Sequence, residues 1–361
     1  MQILLKPLMV LLILAGNSKA KSADTTDDST WQNKLATCVA EQSDRQPFNG
    51  IIAAGSRDTQ YLSTRGFADA DGKRAITADT PFLLASVGKI YTQTAIGLLV
   101  QDGKVALNGS VRTYLPELPE SFAPITIAQL LDHRSGVASM TRPDFADAPA
   151  MAAAQNARDL VPVVTGKPLS FAAGSREEYS NGGYYLLGAV IESASGQNYR
   201  DYVAQHLFKA LGMQGSGFER TSSAAMSLTR MTGPGQPPAA NPQPRMEFPE
   251  FKASSAGDAF SSAADLQAFA KALQDDAFLT ETTKSAVFSH GKMPWQVRQG
   301  GGTVGANTGF WLNPETKSWL VVLSNYDPPG GELMWQALQS VQNGQACKAN
   351  APKGPPPMQQ G

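Results

Sequence analysis

The chain has 361 residues, 42% hydrophobic and 17% charged, which is enough for a large core and, at about 150 residues per domain, for two domains. Thirty basic against 31 acidic residues leave a net charge of −1, so no cationic surface is on offer to nucleic acid. Three His, two Cys and the lack of any G-x-x-x-x-G-K-[ST] or G-x-G-x-x-G string argue against a structural zinc, a nucleoside triphosphate or a dinucleotide; no metal or cofactor is expected.

Lys6 precedes an apolar stretch from Leu8 to Ala15, and Ser18-Lys19-Ala20 then offers small residues at −3 and −1. This predicts a secretory signal peptide over 1–20, cut near Ala20, and an exported chain in the periplasm or medium. The stretch is shorter than the ~20 apolar residues of a spanning helix, and no later run approaches that length. Leu14-Ala15-Gly16 resembles the start of a lipoprotein box, but Asn17 stands where the acylated Cys is required. Export puts Cys38 and Cys347 in an oxidising compartment, where a disulfide between them would tie the chain ends together; two separate buried thiols are the alternative.

Trp31, Leu35, Cys38 and Val39 recur at helical spacing, and two strand-like runs follow, Phe48 to Ala54 and Thr59 to Phe67. Leu83 to Gln101 reads as a helix apolar on most faces, hence buried between domains, with Gly103 as its stop. Further helices are predicted at Thr126 to Asp132, Tyr184 to Ser195 and Tyr199 to Leu211. A Pro-rich stretch from Pro234 to Pro249 reads as a loop or lid. Then come a helix at Ala263 to Leu273, strands at Thr308 to Leu312 and Trp319 to Ser324, and a last helix at Leu333 to Val341. The domains are therefore expected as an α/β unit from 21–81 and 256–347, a mainly helical unit over 82–255 with the Ser86 helix at the interface, and a disordered tail over 348–361.

No G-x-S-x-G elbow occurs, so a different nucleophile is sought. Ser86-Val87-Gly88-Lys89 is an S-x-x-K opening the buried helix, and a spacing of three sets hydroxyl and amine on one face. A serine hydroxyl is a weak nucleophile until a neighbour takes its proton, and a lysine desolvated near a helix N-terminus is a candidate for that task. The same spacing recurs at Ser18/Lys21 and Ser289/Lys292, and a helix start with an outward Lys also explains it. The apolar helix after Ser86 and Phe82-Leu83-Leu84-Ala85 before it set this copy apart. Tyr179-Ser180-Asn181 is the one Y-x-N in the chain: a Tyr beside a Lys suits general acid-base work, and the Asn amide suits a substrate carbonyl, with a capped helix start as the plainer reading. Gln299-Gly300-Gly301-Gly302-Thr303 stands before the last strands, where glycines admit a substrate to the backbone or simply make a bulge or turn.

Together these strings resemble the serine β-lactamase and penicillin-binding-protein superfamily, in its class C β-lactamase-like branch of esterases, D-amino-acid peptidases and carboxypeptidases. The segments VRTYLP (111–116), LLDHRSGV (130–137) and NGGYYLLGAVIE (181–192) continue the likeness in order, as do 261–266, 300–305 and 321–325. The resemblance implies an α+β fold, an α/β sandwich: an antiparallel sheet flanked by the N- and C-terminal helices, with an inserted helical domain and the site between them. It implies Ser86 as the acylated nucleophile, Lys89 and Tyr179 as the proton shuttle, and Asn181, Gln299, Gly301 and Gly302 as substrate-binding positions. The Ser86 and Gly302 N–H groups would form the oxyanion hole, and the substrate would be a small-molecule or peptide-like acyl compound.

The departure from the branch is Gln299, where its third motif carries Lys or His. A neutral amide cannot pair with a substrate carboxylate, which favours ester hydrolysis or, alternatively, a catalytically impaired relative that binds a cell-wall or peptide ligand. His290 is the one nearby candidate for a replacement cation. His133 is expected as a turn residue, His206 as packed or snorkelling, Glu177 and Glu178 as solvated, and Trp295 and Trp311 as lining the cleft or packing. Oligomeric state is left open.

Overall fold

Leu35, Cys38 and Val39, all fully buried, put one face of the first helix, α1 (Asp28–Arg45), against protein, and the hairpin β1 (Gly50–Ser56) and β2 (Thr59–Arg65) follows. The computed structural model describes residues 28–56, 58–140, 148–229, 243–244 and 252–349. The expected signal segment, most of 234–249 and most of the tail from Lys348 therefore lie outside the described residues.

The helix expected from Leu83 begins only at Lys89. Phe82–Leu83 is a short strand, β3, and Ala85–Gly88 is a 3₁₀ turn that leads into α2 (Lys89–Gln101). The cause is Ala85, whose φ of 47° is incompatible with an α-helix. Next come α3 (Ile127–Leu131), whose Thr126 and Gln129 form a reciprocal capping box, then α4 (Ala148–Ala153) and α5 (Val161–Thr165). Helix α6 (Asn181–Ser195) is capped by Ser180 and ended by Gly196 at φ 72°; α7 (Tyr199–Val203) continues as π-helical turns to Lys209. Exposed Gln243–Pro244 (β5), within the Pro-rich stretch, pairs with β4 (Leu228–Thr229), and β6 (Phe260–Ser261) pairs with β3.

Ser262 caps α8 (Ala263–Leu273), and α9 (Glu281–Phe288) follows. The stretch between Lys284 and Gln299 thus starts in a helix. The glycine run is a strand and not a turn: β7 (Val297–Thr303) heads the meander that continues through β8 (Ala306–Asn313) and β9 (Ser318–Ser324) to α10 (Gly330–Gln342).

The five long strands form one antiparallel sheet in the order β2-β1-β9-β8-β7, so β7 is an edge. Period-two alternation sends neighbouring side chains to opposite faces. Ile52, Ala54, Leu320, Val322 and Trp311 pack beneath α1 and α10, with Leu35, Met334, Trp335 and Leu338. Ile51, Ala53, Val321, Leu323, Phe310 and Leu312 join a second core that runs through α8 and α2 to α6. Burial on both faces is why β1 and β9 read as nearly continuous apolar runs. Trp295 and Trp311 are 1% and 2% exposed, so they pack in the core and do not line a cleft. Cys38 of α1 and Cys347 beyond α10 are disulfide-bonded, their Cα atoms 5.5 Å apart. Among the described residues, no helix is long and apolar enough to cross a membrane.

Candidate active site

The Ser86 turn is wedged between the sheet edge and the 254–258 segment. Leu84 N–H donates to Ala259 O, and Leu84 O accepts from the Thr308 hydroxyl at 2.6 Å, which pins both sides of the peptide leading into Ala85. Gly257, at φ 148°, presses so close that a Cβ there would lie 2.6 Å from Ala85 O. Held in this way, left-handed Ala85 turns the following hydroxyl outward, half-buried, at the mouth of α2.

One turn on, Lys89 is fully buried. Its Nζ donates to Asn181 Oδ1 at 2.8 Å, to Ser86 Oγ at 3.4 Å and to Ala256 O. Three acceptors match the three N–H bonds of an ammonium. The Tyr179 and Tyr184 rings also lie near it, with centroids 4.9 and 5.2 Å from Nζ. Tyr179 itself is 42% exposed, and its phenol oxygen is 2.7 Å from Ser86 Oγ, a shorter contact than the lysine makes. Ser86, Lys89, Tyr179 and Asn181, 92 residues apart along the chain at the Lys89–Asn181 bond, thus converge on one point.

Tyr179-Ser180-Asn181 is the entry to α6, and Ser180, not Asn181, is its cap, with Oγ accepting from Gly183 N–H at 2.9 Å. The same hydroxyl donates to Ala138 O, and Asn181 N–H donates to Ser139 O. With its oxygen engaged by Lys89, the Asn181 amide has the two N–H bonds of its NH₂ group as donors toward any further partner.

Strand β7 forms the opposite wall. A Cβ on Gly301 would lie 2.4 Å from Leu84 O and 3.0 Å from Val87 N, so the bare glycine backbone is what lets β7 reach the serine turn. By alternation Gln299 shares that face, and its Nε2 donates to Gly300 O at 2.9 Å. Gly302 is exposed, and Arg298 lies on the far face, its guanidinium 4.7 Å from the Trp335 ring centroid. His290 does not supply the charge missing at Gln299, because its Nδ1 is paired with the Asp132 carboxylate, which also raises its pKa. Ser289, in the third S-x-x-K, spends its hydroxyl on Gln296 O. Glu178 pairs with Arg176 at the surface, and His206 stacks on Tyr202.

The sequence reading missed the carbonyl of Ala256 and underrated His133. Nothing in Ser254-Ser255-Ala256 marks a lysine acceptor. His133 sits at φ 56°, as a turn residue can, but its Nδ1 also accepts from Ser180 N–H at 3.1 Å and its ring lies between Tyr179 and Tyr184. Burial and the charges of Lys89 and His290 hold its pKa down to about 4.

Penicillin-binding protein 4* of Bacillus subtilis (strain 168) is 34% identical over 188 residues, which is 50% of this chain and 41% of that protein, so less than half of the relative is matched. Among solved structures, D-amino acid amidase from Ochrobactrum anthropi SV3, complexed with D-phenylalanine, superposes with a TM-score of 0.72 at 23% identity over 87% of this chain and 97% of that one. A class C β-lactamase superposes with a TM-score of 0.68 at 18% identity, covering 88% and 98%. At these identities the two superpositions speak for the α+β fold. A family model described as Beta-lactamase matches residues 35–342, nearly everything from α1 through α10 and every residue of the converged cluster. The chain belongs to the Beta-lactamase family.

Proposed function

We propose that this chain is an exported serine hydrolase that forms an acyl-enzyme on Ser86 and hydrolyses an ester, amide or lactam bond, with esters favoured. The observation that carries the reading is the 2.7 Å contact between Ser86 Oγ and the Tyr179 oxygen, with buried Lys89 within hydrogen-bond reach of the serine and of Asn181. In this cycle Ser86 Oγ attacks the acyl carbon while its proton crosses to the Tyr179 oxygen, which acts as a phenolate and becomes the neutral phenol. Negative charge at that oxygen is stabilised by the Lys89 ammonium near the same ring. The proton then passes to the leaving alkoxide or amine, and a water repeats the exchange to release the acid. The Ser86 and Gly302 N–H groups are assigned to the acyl oxyanion and the Asn181 NH₂ to the substrate's own carbonyl.

Gln299 supports the ester preference. Its side chain hydrogen-bonds its own strand and carries no charge for a substrate carboxylate. The expected order of kcat/KM is p-nitrophenyl butyrate above nitrocefin and above a D-alanyl-D-alanine peptide. Gln299→His is expected to raise turnover of the two carboxylate-bearing substrates by about tenfold, the worth of one charge-assisted hydrogen bond, with less effect on the ester. A wild-type protein that hydrolyses nitrocefin better than the ester contradicts the preference. A protein inert to all three, before and after Gln299→His, favours the ligand-binding reading instead. Export is supported by the Lys6 to Ala20 pattern, and N-terminal sequencing of protein secreted by a bacterial host is expected to start at Lys21.

A further inference from the structure

Tyr179 is a poorly buried residue in a loop, yet the proposed chemistry needs its oxygen fixed within a few tenths of an ångström of Ser86. What holds it comes largely from one residue. His133 O accepts the Glu178 N–H at 2.8 Å, and His133 Nδ1 accepts the Ser180 N–H at 3.1 Å, so the N–H groups of the residues before and after Tyr179 end on the same histidine. The imidazole itself packs on the Tyr179 ring, centroids 4.7 Å apart, and on Tyr184 at 5.1 Å. We propose that His133 is a positioning residue for Tyr179, acting as a neutral imidazole whose unprotonated Nδ1 clamps the Ser180 amide and whose ring sets the angle of the phenol toward Ser86. This rests on the acyl-transfer reading above.

An N–H can bond to Nδ1 only when that nitrogen carries no proton, so the neutral ring holds its hydrogen on Nε2. Burial and the charges of Lys89 from α2 and of His290 beyond α9, itself paired with Asp132, favour that form, while Tyr179 and Tyr184 from the entry and first turn of α6 pack on the ring. Protonation of Nδ1 would set two N–H groups against each other and release the loop. Activity is therefore expected to fall as pH drops through about 4, on a limb that belongs to His133.

The test compares wild type with His133→Leu, which removes acceptor and ring, and with His133→Asn. The latter places an acceptor oxygen at the same bond depth and tolerates the left-handed φ. The expected result with p-nitrophenyl butyrate is a loss in kcat of about 10- to 100-fold for His133→Leu, with KM changed less than about threefold, because the reacting groups are misplaced and not removed. His133→Asn is expected to recover most of that kcat and to lack the acid limb. Imidazole nitrogen NMR of the wild type at pH 7 is expected to show His133 with a bare Nδ1. The inference is overturned if His133→Leu keeps kcat within about twofold of wild type, or if the NMR finds the proton on Nδ1; the second readout stands even if the leucine variant does not fold. A wild type with neither ester turnover nor reaction with a fluorophosphonate overturns the acyl-transfer reading instead, a failure the NMR result does not share.

Discussion

Ala85 illustrates how much of the site is settled by single residues. A left-handed alanine costs on the order of 1–3 kcal/mol, and it persists because Ala259, Thr308 and Gly257 close around the peptides on either side of it. That turn leaves Ser86 facing Tyr179 across 2.7 Å, and the division of labour proposed for Tyr179 and Lys89 rests on distance: the Tyr179 oxygen is nearer to Ser86 Oγ than the lysine nitrogen is. Tyr179→Phe is accordingly expected to lower kcat for ester hydrolysis by about 10² to 10⁴ while thermal stability stays near that of wild type, since the lost hydroxyl is in an exposed residue. Steady-state kinetics beside a melting curve checks both halves. The four residues that converge at Ser86 could be read from sequence because S-x-x-K and Y-x-N each place two of them in one short string. Ala256 could not, because a backbone carbonyl acting as acceptor leaves no side-chain signature. His133 was visible but ambiguous, since a turn residue and a side-chain acceptor look alike until its partner amide is known.

At the level of elements, strand β7 and the Ser86 turn meet because glycine occupies 301. Gly301→Ala would push a methyl into Leu84 O, Thr308 Oγ1 and Val87 N, two of them main-chain atoms, and is expected to cost about 1–3 kcal/mol together with most of the activity. Gly300→Ala is the control. Its Cβ meets only the edge of Trp335 at 3.6 Å, and the variant should stay within about 0.5 kcal/mol in urea unfolding. Elements with strong periodicity matched their sequence reading closely: α8 spans Ala263–Leu273 as expected, and β1, β8 and β9 differ from expectation by a few residues at their ends. The misread elements share a cause. The start of the Ser86 helix is displaced by tertiary contacts on Leu84 and Ala85, and β7 is an edge strand of V-R-Q-G-G-G-T whose pairing with β8 outweighs its poor strand propensity. Helix α9 was missed because it is short and mixed in polarity, stabilised instead by Lys284, which is buried and reaches Leu273 O and Asp276.

For the whole molecule, the decisive feature is that the first and last described helices and the site share one sheet. β1 enters from α1, β9 leaves toward α10, and the Cys38–Cys347 bond closes a sequence separation of 309 residues at the back of that sheet. Closing so long a loop restricts the unfolded chain, so the Cys38→Ala/Cys347→Ala variant is expected to lose about 2–5 kcal/mol by chemical denaturation, while the Ser86 site on the opposite face keeps its ester activity at 25 °C. The proposed function stands or falls on Ser86 being an activated nucleophile. Intact-protein mass after incubation with a fluorophosphonate tests it most directly: the claim predicts one phosphonyl adduct on the folded wild type and none on Ser86→Ala. A folded wild type that gains no mass, or an adduct that survives in Ser86→Ala, would contradict it.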